Sequence, residues 1–125
     1  MTGRAVGRLK RRAEFLRVAA ARRKCVAEGL ILQAAAAEAG ADAPDLPIES
    51  TPRIGFTVTK KIGGAVERNR ARRRLKAAAA EVMPAHAAGG HDYVLIGRAA
   101  TAARPFPQLV GDLQAALRRL RLWQG

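Results

Sequence analysis

The chain has 125 residues, of which 28 are alanine and only five are aromatic, so it has room for one domain with a thin core and a large surface. Twenty-three Lys and Arg against ten Asp and Glu leave a net charge of +13, a field that attracts polyanions, nucleic acid first and an anionic membrane surface second. A lone Cys25 excludes an internal disulfide, and no CxxC or Cys/His spacing offers a structural zinc site. No apolar run of about 18 residues is present to span a bilayer. The opening "MTGRAVGRLKRR" lacks the apolar stretch of a signal peptide. A soluble protein of a reducing compartment, the cytoplasm, is expected.

In chain order, residues 1–11 read as a basic arm, flexible until bound. "RAEFLRVAAARR", from Arg12 to about Arg23, contains strong helix formers and no breaker, with Phe15, Leu16 and Ala19 as its apolar positions. "KCVAEGLILQAAA" carries the apolar run Leu30, Ile31, Leu32, a strand signal. Residues 37–52 hold three prolines and four of the ten acids, and read as a loop. "RIGFTVTK" alternates Ile54, Phe56 and Val58 with Gly55, Thr57 and Thr59, a strand of period two. After "IGG" a helix is predicted over 65–83, stopped by Pro84. "AHAAGGH" is a loop and "DYVLIGR" (92–98) a strand. "PFPQLVGDLQAALRRLRLW" is the last helix, with the stripe Leu109, Leu113, Ala116, Leu117 and Leu120, while Arg118, Arg119 and Arg121 face elsewhere. The sum is one α+β domain over 1–125, a small sheet packed with helices.

The stretch "KKIGGAVERNRARRRLK" (60–76) has Glu67 as its one acid. Like charges on neighbouring helical turns repel by a few tenths of a kcal/mol per pair, so such a run stands at a cost that an anion would offset. At 100° per residue, Ala71, Leu75, Ala78 and Val82 share one narrow face suited to packing on a sheet. Arg68, Arg72 and Lys76 form a row beside it, with Arg73 and Arg70 further round. A charged run is most often a solvated face, but this one is almost wholly positive in a chain already at +13, which favours phosphate binding. Arginine's planar fork suits phosphate. Asn69 is placed to bond a ribose hydroxyl, a base edge or a metal-bound water. The Gly63-Gly64 break is expected to expose amides at the positive end of the helix dipole, a further anion site.

Other chemistry is thin. His86, His91 and Asp92 share a loop region, but incidental placement is the better reading, and no nucleophile–base–orienter set is visible. "GGAVERN" lacks the Lys-Ser/Thr ending of a P-loop. Phe15 stands equally as a base-stacking platform or as core.

The stretch "GFTVTKKIGGAVERNRARRRLK" resembles the protein subunit of bacterial ribonuclease P, through Lys60, Lys61, Ile62, Gly63, Ala65 and Val66, then Arg68-Asn69-Arg70, Arg72 and Arg73. "GRLKRRAEFLRV" is similar to that family's N-terminal segment and "HDYVLIGR" to its last strand, so the resemblance covers nearly the whole chain. It implies a four-stranded mixed sheet packed with three helices in the order α-β-β-β-α-β-α, ribosomal-protein-S5-like. It also implies a left-handed βαβ crossover, against the general right-handed rule. The implied function is that of an accessory subunit. The ribonucleoprotein removes the 5′ leader of precursor tRNA by Mg²⁺-dependent hydrolysis, its catalytic RNA holding the active centre and most of the Mg²⁺. Arg68, Asn69, Arg70, Arg72, Arg73 and Lys76 match the helix facing the catalytic RNA, and Lys60 and Lys61 the basic end of the preceding strand. Arg8, Lys10, Arg11 and Phe15 match the segment beside a cleft, between sheet and first helix, that holds the precursor tRNA 5′ leader.

Two positions depart from the resemblance: Ala19 and Gln33 stand where members often carry aromatics. The acidic loop 37–52 is longer than in many members, and its charge suggests that it stays away from RNA. The alternatives are a structural RNA-binding protein such as a small ribosomal protein, a stand-alone nuclease, which lacks a carboxylate cluster, and a membrane-surface protein, for which an alanine-lined helix face is a poor anchor.

Overall fold

The computed structural model describes residues 6–36 and 52–124. The elements are β1 (Gly7–Arg8), α1 (Arg12–Ala20), β2 (Arg23–Val26), β3 (Leu30–Ala36), β4 (Arg53–Thr57), a 3₁₀ turn (Lys60–Ile62), α2 (Ala65–His86), β5 (His91–Gly97) and α3 (Phe106–Arg119). They form one five-stranded mixed sheet in the order β1-β4-β5-β3-β2. β1, β4 and β5 run parallel, and β3 and β2 add antiparallel pairings. β4 and β5 are parallel neighbours joined through α2.

The α+β class and the order α-β-β-β-α-β-α hold from α1 onward, and β1 adds a fifth strand to the four expected. Its source lies in the segment read as a flexible arm. Gly7 N–H donates to the Pro52 carbonyl at 2.9 Å and Leu9 N–H to that of Ile54 at 3.1 Å. The Leu9 side chain is buried, so residues 6–11 are held by backbone pairing and by burial together. Residues 1–5 lie outside the described residues, as does the acidic segment expected as a loop, apart from the buried Pro52.

The sheet has two unequal faces. Alternation sends Leu30, Leu32, Ala34, Ile54, Tyr93 and Leu95 to the face covered by α2 and α3. Those helices contribute Leu75, Ala78, Val82 and Met83, and Leu109, Leu113, Ala116 and Leu117, so both predicted stripes are core. The other face carries only α1, over a small cluster of Leu9, Val18, Ala35 and Val94. With a single nine-residue helix across it, this face stays partly open.

Two local expectations change. The buried residues of α1 are Glu14 and Val18, whereas Leu16 is 55% exposed and Ala19 is exposed. The helix turns its carboxylate inward because a buried arginine waits there. Helix α2 also runs through Pro84 to His86 instead of stopping at 83. Pro84 lacks the N–H that would bond the carbonyl four residues earlier, so the last turn gives up one helical hydrogen bond. Beyond it, Ala87 N–H donates to Met83 O at 3.0 Å, Ala88 N–H to Leu122 O at 2.9 Å and Gln124 N–H to His86 O at 2.7 Å. The end of the helix is thus fixed from the C-terminal segment.

Candidate nucleic-acid interface

The start of α2 is built by Gly63, Gly64 and Glu67. Gly63 has φ +141°, and a Cβ there would meet Glu67 Cβ at 2.9 Å, so the close approach favours glycine. Gly64 N–H donates to Glu67 Oε1 at 3.1 Å. This corrects the expectation of an open anion site at the two glycines. The carboxylate of Glu67 already sits at the positive end of the helix.

Past that first turn the cations stand free of acids. Arg68 and Arg72 are half-buried, and Asn69, Arg70, Arg73 and Lys76 are exposed. Arg68 Nε donates to Gly64 O at 3.4 Å, and Arg72 Nη1 donates to Asn69 Oδ1 at 3.3 Å. The latter bond turns the Asn69 oxygen toward Arg72. Among the described residues no carboxylate pairs with Arg68, Arg70, Arg72, Arg73 or Lys76. Lys60 and Lys61, exposed in the 3₁₀ turn, precede the helix at the end of β4.

Arg74 belongs to a different class, although it lies in the same run. Its Nε donates to Thr101 O at 3.0 Å, its Nη2 donates to Arg104 O, and its guanidinium lies 6.0 Å from the Phe106 ring centroid. It fastens α2 to the segment before α3. Its i+3 and i+4 neighbours tell nothing of this from sequence, because the partners are carbonyls some 27 and 30 residues away.

A cleft of about 180 Å³ opens where β1 stops pairing and β4 runs on. Arg8, Leu9, Phe15, Gly55, Arg72 and Lys76 are among its lining. The structure therefore brings Arg8 and Phe15 together with Arg72 and Lys76 of the α2 row. Phe15 is half-buried, beside the small cluster, and lies across Gly55. A Cβ on Gly55 would meet Phe15 Cε2 and Cζ at 2.5 Å, so this glycine makes the seat of the ring. Both readings of Phe15 thus meet in one place, since its ring is packed on the sheet and borders the opening.

The remaining basic residues are positioned by a carboxylate. Glu14 Oε1 accepts from Lys10 N–H at 2.8 Å and Arg11 N–H at 2.9 Å, fixing the chain ahead of α1. Glu14 Oε2 accepts from Arg53 Nη1 at 3.0 Å. Arg53 then reaches Asp92 with Nε at 2.9 Å and Nη2 at 2.7 Å, and Asp92 also accepts from Arg17 Nη2. Asp92 is fully buried and Arg53 nearly so. The hydrogen bond to Asp92 is the chief cause that raises the Arg53 guanidinium above its ordinary value; desolvation opposes it, and the charges of Asp92 and Glu14 add to it. An upward shift of a base stabilises the fold fully below its unfolded value and is lost only as pH rises through the folded one. Arg53 therefore stays charged across the whole working pH range.

This ion cluster escaped the sequence reading. One signal was present: Glu14 is the only acid among the first 27 residues, which are otherwise rich in Arg and Lys. The three residues weighed for acid–base chemistry are engaged elsewhere. His86 Nδ1–H donates to Gln124 O at 2.8 Å and its ring stacks on Trp123 with centroids 4.0 Å apart. His91 Nδ1–H donates to Gly89 O at 2.9 Å, and Asp92 is held by Arg53 and Arg17. No group of three or more His, Cys, Asp or Glu stands together as a metal site among the described residues, and among them no helix is long and apolar enough to cross a membrane.

Comparison with known proteins bears on the fold and on the family. Residues 4–121 match the family model described as Ribonuclease P. The chain is 59% identical over 113 residues to the ribonuclease P protein component of Paramagnetospirillum magneticum, covering 90% of this chain and 81% of that one. It is 52% identical over 112 residues to that of Gluconacetobacter diazotrophicus, covering 90% and 89%. Among solved structures, the RNase P protein of Staphylococcus aureus aligns with a TM-score of 0.71 at 20% identity, covering 94% of this chain and 97% of that one. That of Thermotoga maritima aligns at 0.66 and 22%, covering 90% and 96%. The structural likeness speaks for the fold, and the sequence relatives carry the assignment: this chain belongs to the family of ribonuclease P protein components.

Proposed function

We propose that the chain is the RNA-binding accessory subunit of a ribonucleoprotein endonuclease that removes the 5′ leader of precursor tRNA. In this reading the catalytic RNA meets the exposed face of α2, through Arg68, Asn69, Arg70, Arg72, Arg73 and Lys76, with Lys60 and Lys61 extending it. The single-stranded leader lies in the cleft beside Arg8, Lys10, Arg11 and Phe15. The observation that carries the reading is the acid-free row of α2 sharing one cleft with Phe15. Phosphates would offset the mutual repulsion of that row, and a base would stack on the exposed part of the ring.

The protein's part is then positioning and charge neutralisation. Cations along the leader and the catalytic RNA reduce phosphate repulsion, which lowers the Mg²⁺ needed to hold both together. The described residues do not suit a protein-held Mg²⁺, since such a site needs oxygen ligands and the buried carboxylates are already bound by arginine. The metal is assigned to the RNA.

The test is cleavage of a 5′-extended precursor tRNA at low Mg²⁺ by the protein alone, a bacterial ribonuclease P RNA alone, and both. Cleavage at the mature 5′ end only with both is the expected outcome. Cleavage by protein alone would reopen His86, His91 and Asp92. No stimulation of a cognate RNA would turn the reading to a structural RNA-binding protein.

A further inference from the structure

Helix α1 meets the sheet through few apolar side chains. Its buried residues are Glu14 and Val18, with Phe15 half-buried beside them. Leu16 and Ala19 turn to solvent. One buried valine and part of a ring are a weak means of choosing a single seat for a nine-residue helix. A competing seat exists. Rotating α1 by roughly 100°, one residue of helix, would draw Phe15, Leu16 and Ala19 together beneath it. That seat buries more apolar surface, and it turns the Phe15 ring in from the rim of the cleft.

Four charges distinguish the two seats. Glu14 Oε2 accepts from Arg53 Nη1 at 3.0 Å, and Arg17 Nη2 donates to Asp92. Arg53 and Asp92 are register partners on β4 and β5, bound to each other by two hydrogen bonds. From Glu14 through Arg53 and Asp92 to Arg17, the signs therefore alternate. Glu14 and Arg17 stand one turn apart on α1. A turn of about 5.4 Å is close to the strand spacing of about 4.8 Å. Sliding α1 by one turn would set Arg17 against Arg53, or Glu14 against Asp92, like charge on like charge. Rotating it to the apolar seat would carry Glu14 and Arg17 away from both partners.

The same contacts place the ring. Phe15 follows Glu14 in the chain, and Gly55 lies two residues beyond Arg53 on the same face of β4. Seating Glu14 on Arg53 thus seats Phe15 on Gly55, where a Cβ would meet the ring at 2.5 Å. From there the ring borders the cleft with Arg8 and Arg72. Buried ion pairs seldom add stability over apolar packing of similar volume, and fixing a register is their best-attested use.

We propose that Glu14 and Arg17 are positioning residues: with Arg53 and Asp92 they hold α1 in the one seat that keeps the Phe15 ring at the cleft for a leader base. The inference rests on the leader reading above and deepens it. Neither residue touches RNA in this role, and both act through the placement of Phe15.

The holoenzyme, reconstituted with a bacterial ribonuclease P RNA, is compared with one whose protein carries Glu14→Gln and Arg17→Met. Glutamine keeps an oxygen for the Lys10 and Arg11 N–H groups, and Arg53 keeps Asp92, so no buried charge is left alone. Precursor tRNA should bind several-fold more weakly, with mature tRNA binding and affinity for the catalytic RNA unchanged. Phe15→Ala, which weakens precursor binding in the unaltered protein, should cause no further loss in this background. Arg17→Lys alone keeps the charge opposite Asp92 and should bind precursor as the unaltered protein does. In the free protein, 4-fluorophenylalanine in place of Phe15 should give a shifted fluorine resonance when the double variant is introduced. An unmoved resonance, or a Phe15→Ala loss that adds in full, would overturn the proposal. Equal losses for precursor and mature tRNA would mark a purely structural role and overturn it too. So would a fall of roughly 0.7 in the log–log salt slope, which would make Arg17 itself a phosphate contact. Should the double variant fail to fold, Arg17→Met alone carries the same comparisons with the same outcomes. If Phe15→Ala leaves precursor binding by the unaltered holoenzyme intact, the leader reading fails instead, and the fluorine resonance still decides the seat of α1.

Discussion

Two sets of arginines differ in what surrounds them. Arg53, Arg17 and Arg104 are paired with Asp92, Glu14, Asp112 or Glu28, and Arg74 with two carbonyls. Arg68, Arg70, Arg72 and Arg73 meet no carboxylate among the described residues. The same side chain serves as an internal strut in the first set and, in the proposed function, as an open phosphate fork in the second. In a chain so rich in arginine, the count of charges points to a polyanion, and the distribution of the few acids shows which arginines are already spent. Arg74 makes the contrast sharpest: it lies between Arg73 and Leu75 on α2 yet belongs to the struts.

The largest effect should come from breaking a strut. Arg53→Ala would leave Asp92 and Glu14 buried without their partner, and a loss of about 3–5 kcal/mol in unfolding free energy is expected by denaturant titration. A loss under about 1 kcal/mol would mean that the cluster is solvated and does not tie α1 to the sheet. Arg74→Ala should cost about 1.5–3 kcal/mol, since it removes charged hydrogen bonds to two carbonyls, with RNA affinity following stability alone. A specific loss of RNA binding at unchanged stability would move Arg74 into the open set.

Phe15→Ala sits between the two regions, because the ring is seated on the sheet but borders the cleft. Precursor binding by the holoenzyme should weaken by about 1–3 kcal/mol, the worth of one stacked base, with mature tRNA binding unaffected. Equal losses for the two ligands would make the ring core only. Arg68→Ala with Arg72→Ala should have the smallest effect on the fold, within about 0.5 kcal/mol. The same pair should impair cleavage at physiological Mg²⁺ and reduce the salt slope of RNA binding by roughly 1.4. Unchanged cleavage would contradict the role given to this face.

Much of this was legible in the sequence, and for a physical reason. The stripes of α2 and α3 follow from helical periodicity, and the strands around Leu30, Phe56 and Val94 from apolar runs that only a sheet interior can bury. The cationic row needed no tertiary information, because residues four apart on a helix share a face in any fold. Patterning could not reveal where the acids go. Glu14, buried on α1, breaks the hydrophobic rule that made Leu16 look like core, since a carboxylate can be interior only when a specific partner is brought to it. That partner, Arg53, is 39 residues away. The Phe15 cleft, the ion cluster of Glu14, Arg17, Arg53 and Asp92, and the bond from Arg23 Nη2 to the Leu120 carbonyl depend on which strands lie side by side. Local sequence therefore determined the elements and the charged face of α2. Only the tertiary structure decided which arginines stay free of carboxylates, because pairing of charges is set by distance in space and not by order along the chain.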